Sequence, residues 1–372
     1  MSAVSPKHAI ESILAARDIR IDGPRPWDLR ILDERFYRRV LAGGSLAFGE
    51  SYMDGWWTCG QVDELIARIL RDDPSKELGV PWSVVAHALF ARVFNAQDRS
   101  SAFRNGQAHY DIGNDLYEAM LDPRMVYTCA YWKEADDLAA AQEAKLDLVC
   151  RKIGLKPGDR ILDIGCGWGS FLKFAAERYG ASGVGITVAE EQVKLGKEKC
   201  AGLPIEIRLQ DYRDVRGEFD HVVSLGMFEH VGRKNYRAYM QAAARCLKDG
   251  GLFLLHTIGT RTSGTEFDPW MDRYIFPNAH LPSMKEISAA AEGSFVIEDW
   301  HNFGPDYDKT LMAWRENFER RWDRLKGYDE RFRRMWNYYL LACAGSFRSR
   351  MNQLWQVVLS KEGVPGGYVS VR

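Results

Sequence analysis

The sequence predicts an α/β protein in which a helical module precedes a doubly wound parallel sheet. First, the apolar run 161–164 is followed by alternating glycines and a segment of helical spacing, the strand–turn–helix unit that starts such a sheet. Second, further apolar strands alternate with helical segments through residue 260. Third, residues 1–96 show helical spacing, as in Val62, Leu65 and Ile69. A chain of 372 residues is long enough for both parts.

The composition is that of a globular protein without a strongly charged field. Hydrophobic residues make up 46% of the chain and charged residues 27%, and the net charge is −1, which argues against a nucleic-acid partner. No apolar run reaches the roughly 18–20 residues of a membrane-spanning helix, and the start of the chain lacks a signal-peptide layout. The seven cysteines have neither framework spacing nor a C-x-x-C pair, so we expect reduced thiols in the cytoplasm and no bound metal.

Composition also divides the chain into parts. Residues 1–96 form the predicted helical module, which includes the glycine-rich and aromatic stretch GGSLAFGESYMDGWW. We expect this module to contact lipid or a second subunit, although the broad apolar face that follows Pro81 favours docking on the next domain. Residues 97–107 are polar and rich in Ser, Asn and Gly, which predicts a linker. Residues 108–372 form the predicted second domain.

The stretch DRILDIGCGWGSF begins the sheet and carries the first chemical signal. Gly165, Gly167 and Gly169 alternate after Asp163, whereas a dinucleotide fingerprint has the spacing G-x-G-x-x-G. An acid followed by G-x-G-x-G resembles the first motif of class I S-adenosylmethionine (AdoMet) methyltransferases, which have a Rossmann-like seven-stranded sheet. A carboxylate beside this loop suits the ammonium and sulfonium groups of AdoMet. The simpler alternative is a glycine turn with a solvated Asp.

The next two strands add candidate cofactor contacts. The second strand has Gly185 where many methyltransferases have an acid that binds the ribose hydroxyls, which leaves Thr187 and Gln192 as candidate replacements. The third strand ends in Asp211 and Tyr212, an acceptor for the adenine amino group and a ring to cover the base. Such groups are expected together at the carboxyl ends of parallel strands.

The remaining strands end in residues with acid–base chemistry. The fourth ends in Glu229 and His230, and the fifth ends near His256 and Ile258. Residues 259–284 are irregular and hold several prolines and aromatics, which predicts a lid insertion. Two helices, predicted at 307–322 and 332–347, lead to a final strand.

Several segments together resemble one family. YTCAYW, LDIGCGWGS, GITVAEEQ, MFEHVG, LLHTIG, WMDRYIFPN and EDWHNFGPDYDKTL occur in that order after GESYMDGWW. Over nearly the whole chain this resembles the bacterial cyclopropane-fatty-acyl-phospholipid synthases, and over the second domain also the mycolic acid cyclopropane synthases. The resemblance implies transfer of a methylene group from AdoMet to the cis double bond of an unsaturated acyl chain in a membrane phospholipid. It implies a carbocation, deprotonation by bound bicarbonate, and a homodimer at the inner face of the membrane.

The resemblance also implies the site residues. A bicarbonate pocket would consist of Cys129, Glu229, His256, the backbone of Ile258, and Tyr307. The AdoMet contacts would be Tyr127, Thr128, Asp163, Gly165, Gly167, Gly169, Thr187, Gln192, Asp211 and Tyr212. Structural roles remain open: a buried apolar Cys129, a satisfied core His256, a Tyr307 that merely begins its helix, and a Glu229 placed by the helix dipole. We interpret His230 and His301 as structural.

Alternative functions also stay open. A related lipid methylase would give a methyl-branched or hydroxylated chain, a small-molecule or nucleic-acid methyltransferase would use the same fold, and a non-catalytic lipid-binding protein would no longer bind AdoMet. A group of basic residues at 315–334, interleaved with aromatics, is either a membrane-facing patch or a solvated face balanced by nearby acids. Arg99 and Arg104 are a second candidate patch.

Overall fold

The computed structural model describes residues 5–71, 113–264 and 267–372, and within them a seven-stranded sheet positions the site. A separate two-stranded ribbon consists of β1 (Arg30–Ile31) and β2 (Trp57–Thr58). The sheet strands are β3 (Arg160–Ile164), β4 (Ser182–Thr187), β5 (Ile205–Leu209), β6 (Phe219–Leu225), β7 (Leu247–Thr260), β8 (Val296–Asn302) and β9 (Asn352–Ser360). Their order is β5-β4-β3-β6-β7-β9-β8. The first five are parallel, and β9 runs antiparallel to both β7 and β8.

Helices cover both faces of this sheet. The described α-helices are α1 (Pro6–Ala15), α2 (Arg35–Met53), α3 (Val62–Arg71), α4 (Asn114–Met120), α5 (Leu138–Lys152), α6 (Ser170–Tyr179), α7 (Glu190–Lys199), α8 (Tyr236–Cys246), α9 (Pro269–Tyr274), α10 (Met284–Ala291), α11 (Pro305–Arg321) and α12 (Glu330–Arg348). Leu146 of α5 and Phe171 of α6 pack on one face of the sheet, whereas Met240 of α8 and Ile287 of α10 pack on the other. The predicted α/β class I methyltransferase fold is confirmed.

The described N-terminal helices share a hydrophobic core with α4, α11 and α12. Where α3 crosses α12, a Cβ added to Gly345 would lie 2.5 Å from the carbonyl oxygen of Asp63, so only glycine permits this close approach. Arg348 Nη1 also lies 2.6 Å from Asp63 Oδ2. The helix predicted after Pro81, the linker at 97–107 and part of the module at 1–96 lie outside the described residues, so these boundaries stay predictions.

Several basic residues of the 315–334 group form hydrogen bonds and ion pairs with other residues of the chain. Arg331 Nε lies 3.1 Å from Asp54 Oδ1, and Arg334 donates to the carbonyl oxygens of Tyr52 and Trp57. Arg333 similarly pairs with Glu319. These contacts hold α12 against α2 and α11, which favours the balanced-face interpretation of the 315–334 group. Arg99 and Arg104 lie outside the described residues.

Two further features concern membranes and the predicted lid. Among the helices that the structure describes, none is long and apolar enough to cross a membrane. In the segment predicted as a lid at 259–284, β7 continues through Thr260, and α9 then packs on α2. There, Trp270 lies so close to Gly49 that an added Cβ would be 2.4 Å from the indole Cδ1. The lid role stays a prediction.

Candidate active site

A cleft opens at the carboxyl ends of β3, β4, β5 and β6. It encloses about 1330 Å³, counting the space open to solvent. Nine of the ten residues predicted to bind AdoMet line it: Tyr127, Thr128, Asp163, Gly165, Gly167, Thr187, Gln192, Asp211 and Tyr212. The parallel strands bring them together from positions spread over 86 residues of sequence, from Tyr127 to Tyr212.

All three loop glycines have positive φ, but Gly167 and Gly169 have different surroundings. The φ angles are 84° at Gly165, 55° at Gly167 and 80° at Gly169. A Cβ on Gly167 would meet nothing within 4 Å, so this position leaves open space at the cleft for a ligand. Gly169 does not line the cleft, and its Cβ would lie 2.8 Å from Cys200 Sγ. The close packing of α6 on its neighbours therefore explains Gly169 without a ligand contact.

Asp163 is a buried carboxyl group at the edge of the cleft. Its side chain is 2% exposed, and Oδ1 has no hydrogen-bond partner within the described part of the chain. Burial raises the pKa of Asp163 to about 7, while the nearby Lys145 ammonium acts to lower it. A cationic ligand group would stabilise the carboxylate and give the buried oxygen a partner, so the residue fits the amino acid end of AdoMet.

Lys145 is a fully buried residue of α5 that our sequence analysis did not single out. Its Nζ donates to Thr128 Oγ1 over 2.6 Å, and its charge also acts on Cys129 and Asp163. Burial lowers the pKa of Lys145 to about 8. The signal was available, because Lys145 follows Ala141 and precedes Leu148 at the spacing of the apolar face of α5.

Packing explains why β4 has Gly185 at the position where many methyltransferases have an acid. β4 ends at Thr187, two residues beyond Gly185, so Thr187 is the residue at its carboxyl end. A Cβ on Gly185 would lie 2.7 Å from Cys166 Sγ, because the glycine loop crosses the strand there. Thr187 Oγ1 instead donates to Gln192 Oε1 over 2.6 Å. This pair provides polar groups at the carboxyl end of β4, two residues beyond Gly185.

Asp211 follows β5, and both of its carboxylate oxygens have partners within the protein. Its Oδ1 accepts from the backbone N–H of Arg213 and its Oδ2 pairs with Arg213 Nη1 at 2.8 Å. Tyr212 is buried against Tyr239, and its hydroxyl has no partner in the part of the chain that the structure describes. Burial raises the pKa of Tyr212 to about 12, so the hydroxyl stays protonated and able to donate. The adenine contacts of both residues stay predictions.

Four further residues that line the cleft were not among the predicted AdoMet contacts. Trp168, Phe276 and Pro277 line it, and so does His230, which we had interpreted as structural. The His230 and Phe276 rings lie 5.7 Å apart, and burial lowers the pKa of His230 to about 4. Phe276 and Pro277 follow α9 directly, so the segment predicted as a lid does contribute to the cleft wall.

Glu229 and the end of β7 form a second polar centre. Ile258 donates its backbone N–H to Glu229 Oε1 over 2.6 Å. Glu229 Oε2 and His256 Nε2 are both buried and have no partner among the described residues. His256 and Ile258 are two residues apart on one strand and so lie on the same face. Burial raises the pKa of Glu229 to about 7 and lowers that of His256 well below its usual value.

Cys129 and Tyr307 are the remaining two residues of the predicted bicarbonate pocket. Cys129 is fully buried, and burial raises the pKa of its thiol, so it is not a thiolate nucleophile. Tyr307 lies in the first turn of α11, which begins at Pro305, and its ring packs on Trp314 and Phe347. Burial raises the pKa of Tyr307. The backbone N–H of Ala130, next to Cys129, donates to Thr310 Oγ1 of α11 over 3.1 Å, so the Cys129 segment lies against the helix that bears Tyr307.

The cleft and the polar centre share a wall. Gly226 lines the cleft and donates its N–H to the carbonyl oxygen of His256 over 2.9 Å. A Cβ on Gly226 would lie 2.7 Å from Thr128 Cγ2, the residue next to Cys129. Gly226 and Thr128 thus lie between the cleft and the residues of the polar centre.

Comparison with known proteins identifies the family. The family described as mycolic acid cyclopropane synthetase matches residues 97–357. The cyclopropane-fatty-acyl-phospholipid synthase of Escherichia coli strain K12 is 51% identical over 95% of this chain and 93% of its own length. The chain belongs to the cyclopropane synthase family. It is therefore an AdoMet-dependent methyltransferase, and AdoMet is its cofactor.

Two further relatives bear on this cyclopropane synthase family. A crystal structure of a mycolic acid cyclopropane synthase complexed with SAH and CTAB matches with a TM-score of 0.65 and 31% identity, covering 70% of this chain and 98% of that one. A tuberculostearic acid methyltransferase of Mycobacterium tuberculosis is 35% identical over 88% of this chain and 82% of its own length.

Proposed function

We propose that this enzyme transfers a methylene group from AdoMet to the cis double bond of an unsaturated acyl chain in a phospholipid, forming a cyclopropane ring. The observation that carries the proposal is that two buried atoms, Glu229 Oε2 and His256 Nε2, have no hydrogen-bond partner among the described residues. Ring closure needs a proton acceptor at the reacting carbon, and this polar centre is built to hold one. The similarity to the Escherichia coli cyclopropane-fatty-acyl-phospholipid synthase supports the choice of substrate.

The residues present fit bicarbonate as that acceptor. Neutral His256 would donate one N–H to it, Tyr307 would donate its hydroxyl, and Glu229 would accept the hydroxyl proton of bicarbonate. Glu229 remains fixed meanwhile, because its other oxygen accepts from Ile258. When bound, AdoMet supplies an electrophilic methyl group and bicarbonate supplies a base. The side chains hold these groups in position, which is a large part of the catalytic effect.

Aromatic rings protect a cation on the acyl chain. Tyr127 lies 5.2 Å from the ring of Trp314, and Tyr307 lies 5.9 Å from the same ring. Tyr127 and Tyr339 join their hydroxyls over 2.8 Å. Aromatic faces stabilise positive charge without acting as nucleophiles, and they exclude the water that would hydrate the cation.

The test uses AdoMet with a trideuterated methyl group and vesicles that contain a cis-monounsaturated phospholipid. Ring formation retains two of the three deuterium atoms and removes the double bond, which mass spectrometry of the acyl chains detects. Omission of bicarbonate and the Glu229→Gln substitution should each reduce the product. An acyl product that carries two more hydrogen atoms than the ring product would instead indicate the methyl-branching reaction, which also requires a hydride donor. AdoMet binding without any lipid product would overturn the lipid assignment.

We also propose that the enzyme acts as a homodimer bound to the inner face of the cytoplasmic membrane. All seven cysteines are free, which suits a reducing compartment. Its acyl substrate lies in a bilayer, so some surface must meet lipid. Flotation with anionic and neutral vesicles tests the association, and analytical ultracentrifugation tests the dimer. A monomer that does not float with either vesicle would contradict both statements.

A further inference from the structure

A buried glutamine faces the histidine of the polar centre. Gln356 of β9 pairs in register with His256 of β7 on one side and with His301 of β8 on the other. Its side chain is fully buried, between the apolar Leu354 and Val358 on the same face of β9. An amide in such a position costs about 1–3 kcal/mol unless it is hydrogen-bonded, so its contacts matter.

Within the described ranges, the side-chain amide of Gln356 has one hydrogen-bond partner, the imidazole of His256. Its Nε2 lies 3.3 Å from His256 Nδ1, and its Oε1 has no partner in the described ranges. If the amide donates, Nδ1 is an acceptor, and the single proton of a neutral imidazole is then on Nε2. His256 Nε2 is the atom of the polar centre that has no partner among the residues the structure describes.

The surroundings keep this imidazole neutral. Burial lowers the pKa of His256, and the ammonium groups of Lys145 and Lys152 lower it further. Lys152 itself lies 3.1 Å from His301 Nδ1 and 3.8 Å from Asp299 Oδ2. A neutral imidazole has only one N–H, so the nitrogen that holds it decides whether the ring donates into the polar centre or accepts from it.

We propose that Gln356 is a positioning residue that holds His256 as the Nε2–H tautomer, so that the ring directs an N–H donor into the polar centre. This rests on the proposed function, in which that donor binds an anionic base. The opposite tautomer would present a lone pair there and repel the anion's oxygen. Gln356 touches no reacting atom and acts through His256.

The test is long-range ¹H–¹⁵N correlation NMR of the full chain labelled at its eight histidines, with His256 assigned by the loss of its signals in His256→Asn. The wild-type enzyme should show the Nε2–H pattern at His256. Gln356→Met keeps the side-chain length but removes the donor, so we expect a mixture of tautomers. Turnover should fall about 10- to 100-fold, the usual effect of losing a group that orients a functional histidine, with AdoMet affinity nearly unchanged.

Gln353→Met is the matched control. Gln353 is on the same strand but bonds to Asn302 and Trp355, so the tautomer and the turnover should stay as in wild type. An Nδ1–H pattern in wild type would overturn the proposal without any variant, as would an unchanged tautomer in Gln356→Met. The NMR result does not depend on the lipid product. Absence of a ring product would therefore count against the proposed function alone.

Discussion

Lys145 Nζ donates to Thr128 Oγ1 over 2.6 Å from a fully buried position. This contact joins α5 to the segment that bears Tyr127, Thr128 and Cys129. It also places a positive charge near Asp163, whose pKa that charge acts to lower. A buried cation thus tunes the carboxyl group at the edge of the cofactor cleft.

Replacing Lys145 with Met should weaken AdoMet binding at neutral pH. Without the ammonium group, the pKa of Asp163 rises further, and a rise of one unit would lower affinity up to about tenfold where only the carboxylate binds. Titration calorimetry between about pH 6 and pH 9 should show the affinity profile shifted to higher pH. Lys156→Met, at an exposed position, should leave the profile unchanged. Equal profiles for Lys145→Met and wild type would contradict this role.

AdoMet binding should release a proton from Asp163. The free enzyme holds this carboxyl group at a pKa of about 7, so near pH 6 it is mostly protonated. A cationic ligand lowers that pKa, and the proton leaves. Calorimetry in buffers of different ionisation enthalpy should detect the release near pH 6 and little above about pH 8. The release should disappear in Asp163→Asn, and its persistence there would assign the proton to another group.

The glycines at 167 and 169 should respond differently to alanine. Gly169→Ala combines a left-handed φ with a close contact to Cys200 Sγ, so stability should fall by about 2–4 kcal/mol. Gly167→Ala has the φ strain alone, about 1–2 kcal/mol, but places a methyl group in the cleft. Urea unfolding and AdoMet titration separate the two effects. Greater loss of AdoMet affinity in folded Gly169→Ala than in Gly167→Ala would show that the assignment is reversed.

Glu229→Gln should change the pH dependence of stability as well as activity. The amide oxygen still accepts from Ile258, so the variant should fold. The raised pKa of Glu229 means that the native state keeps its proton longer than the unfolded state, and this group's contribution to stability falls as pH rises from about 4.5 to about 7. The melting temperature of the variant relative to wild type should therefore increase from pH 5 to pH 8. A melting-temperature difference between the variant and wild type that stays constant from pH 5 to pH 8 would contradict this assignment.

Local patterns predicted most of the fold and the position of the cofactor cleft. The apolar run of β3, the glycines after it and the spacing of α6 are consecutive in sequence, so their pattern reports their geometry directly. Strand ends such as Thr187 and Asp211 followed from the rule that ligand groups collect at carboxyl ends. Gly169 shows the limit of that logic, because a packing glycine and a ligand-facing glycine have the same signature in a sequence.

The sequence by itself therefore determined the fold class, the strand that begins the sheet and the family-implied set of site residues. Only the tertiary structure decided which polar groups meet. Glu229 and Ile258 are 29 residues apart and His256 and Gln356 are 100 apart, and both pairs form because β7 lies between β6 and β9. Burial depends on everything packed around a residue, so the neutral state of His256 could not be predicted from local spacing. Helical spacing does place Lys145 on the apolar face of α5, but only the tertiary structure brings its ammonium group near Asp163.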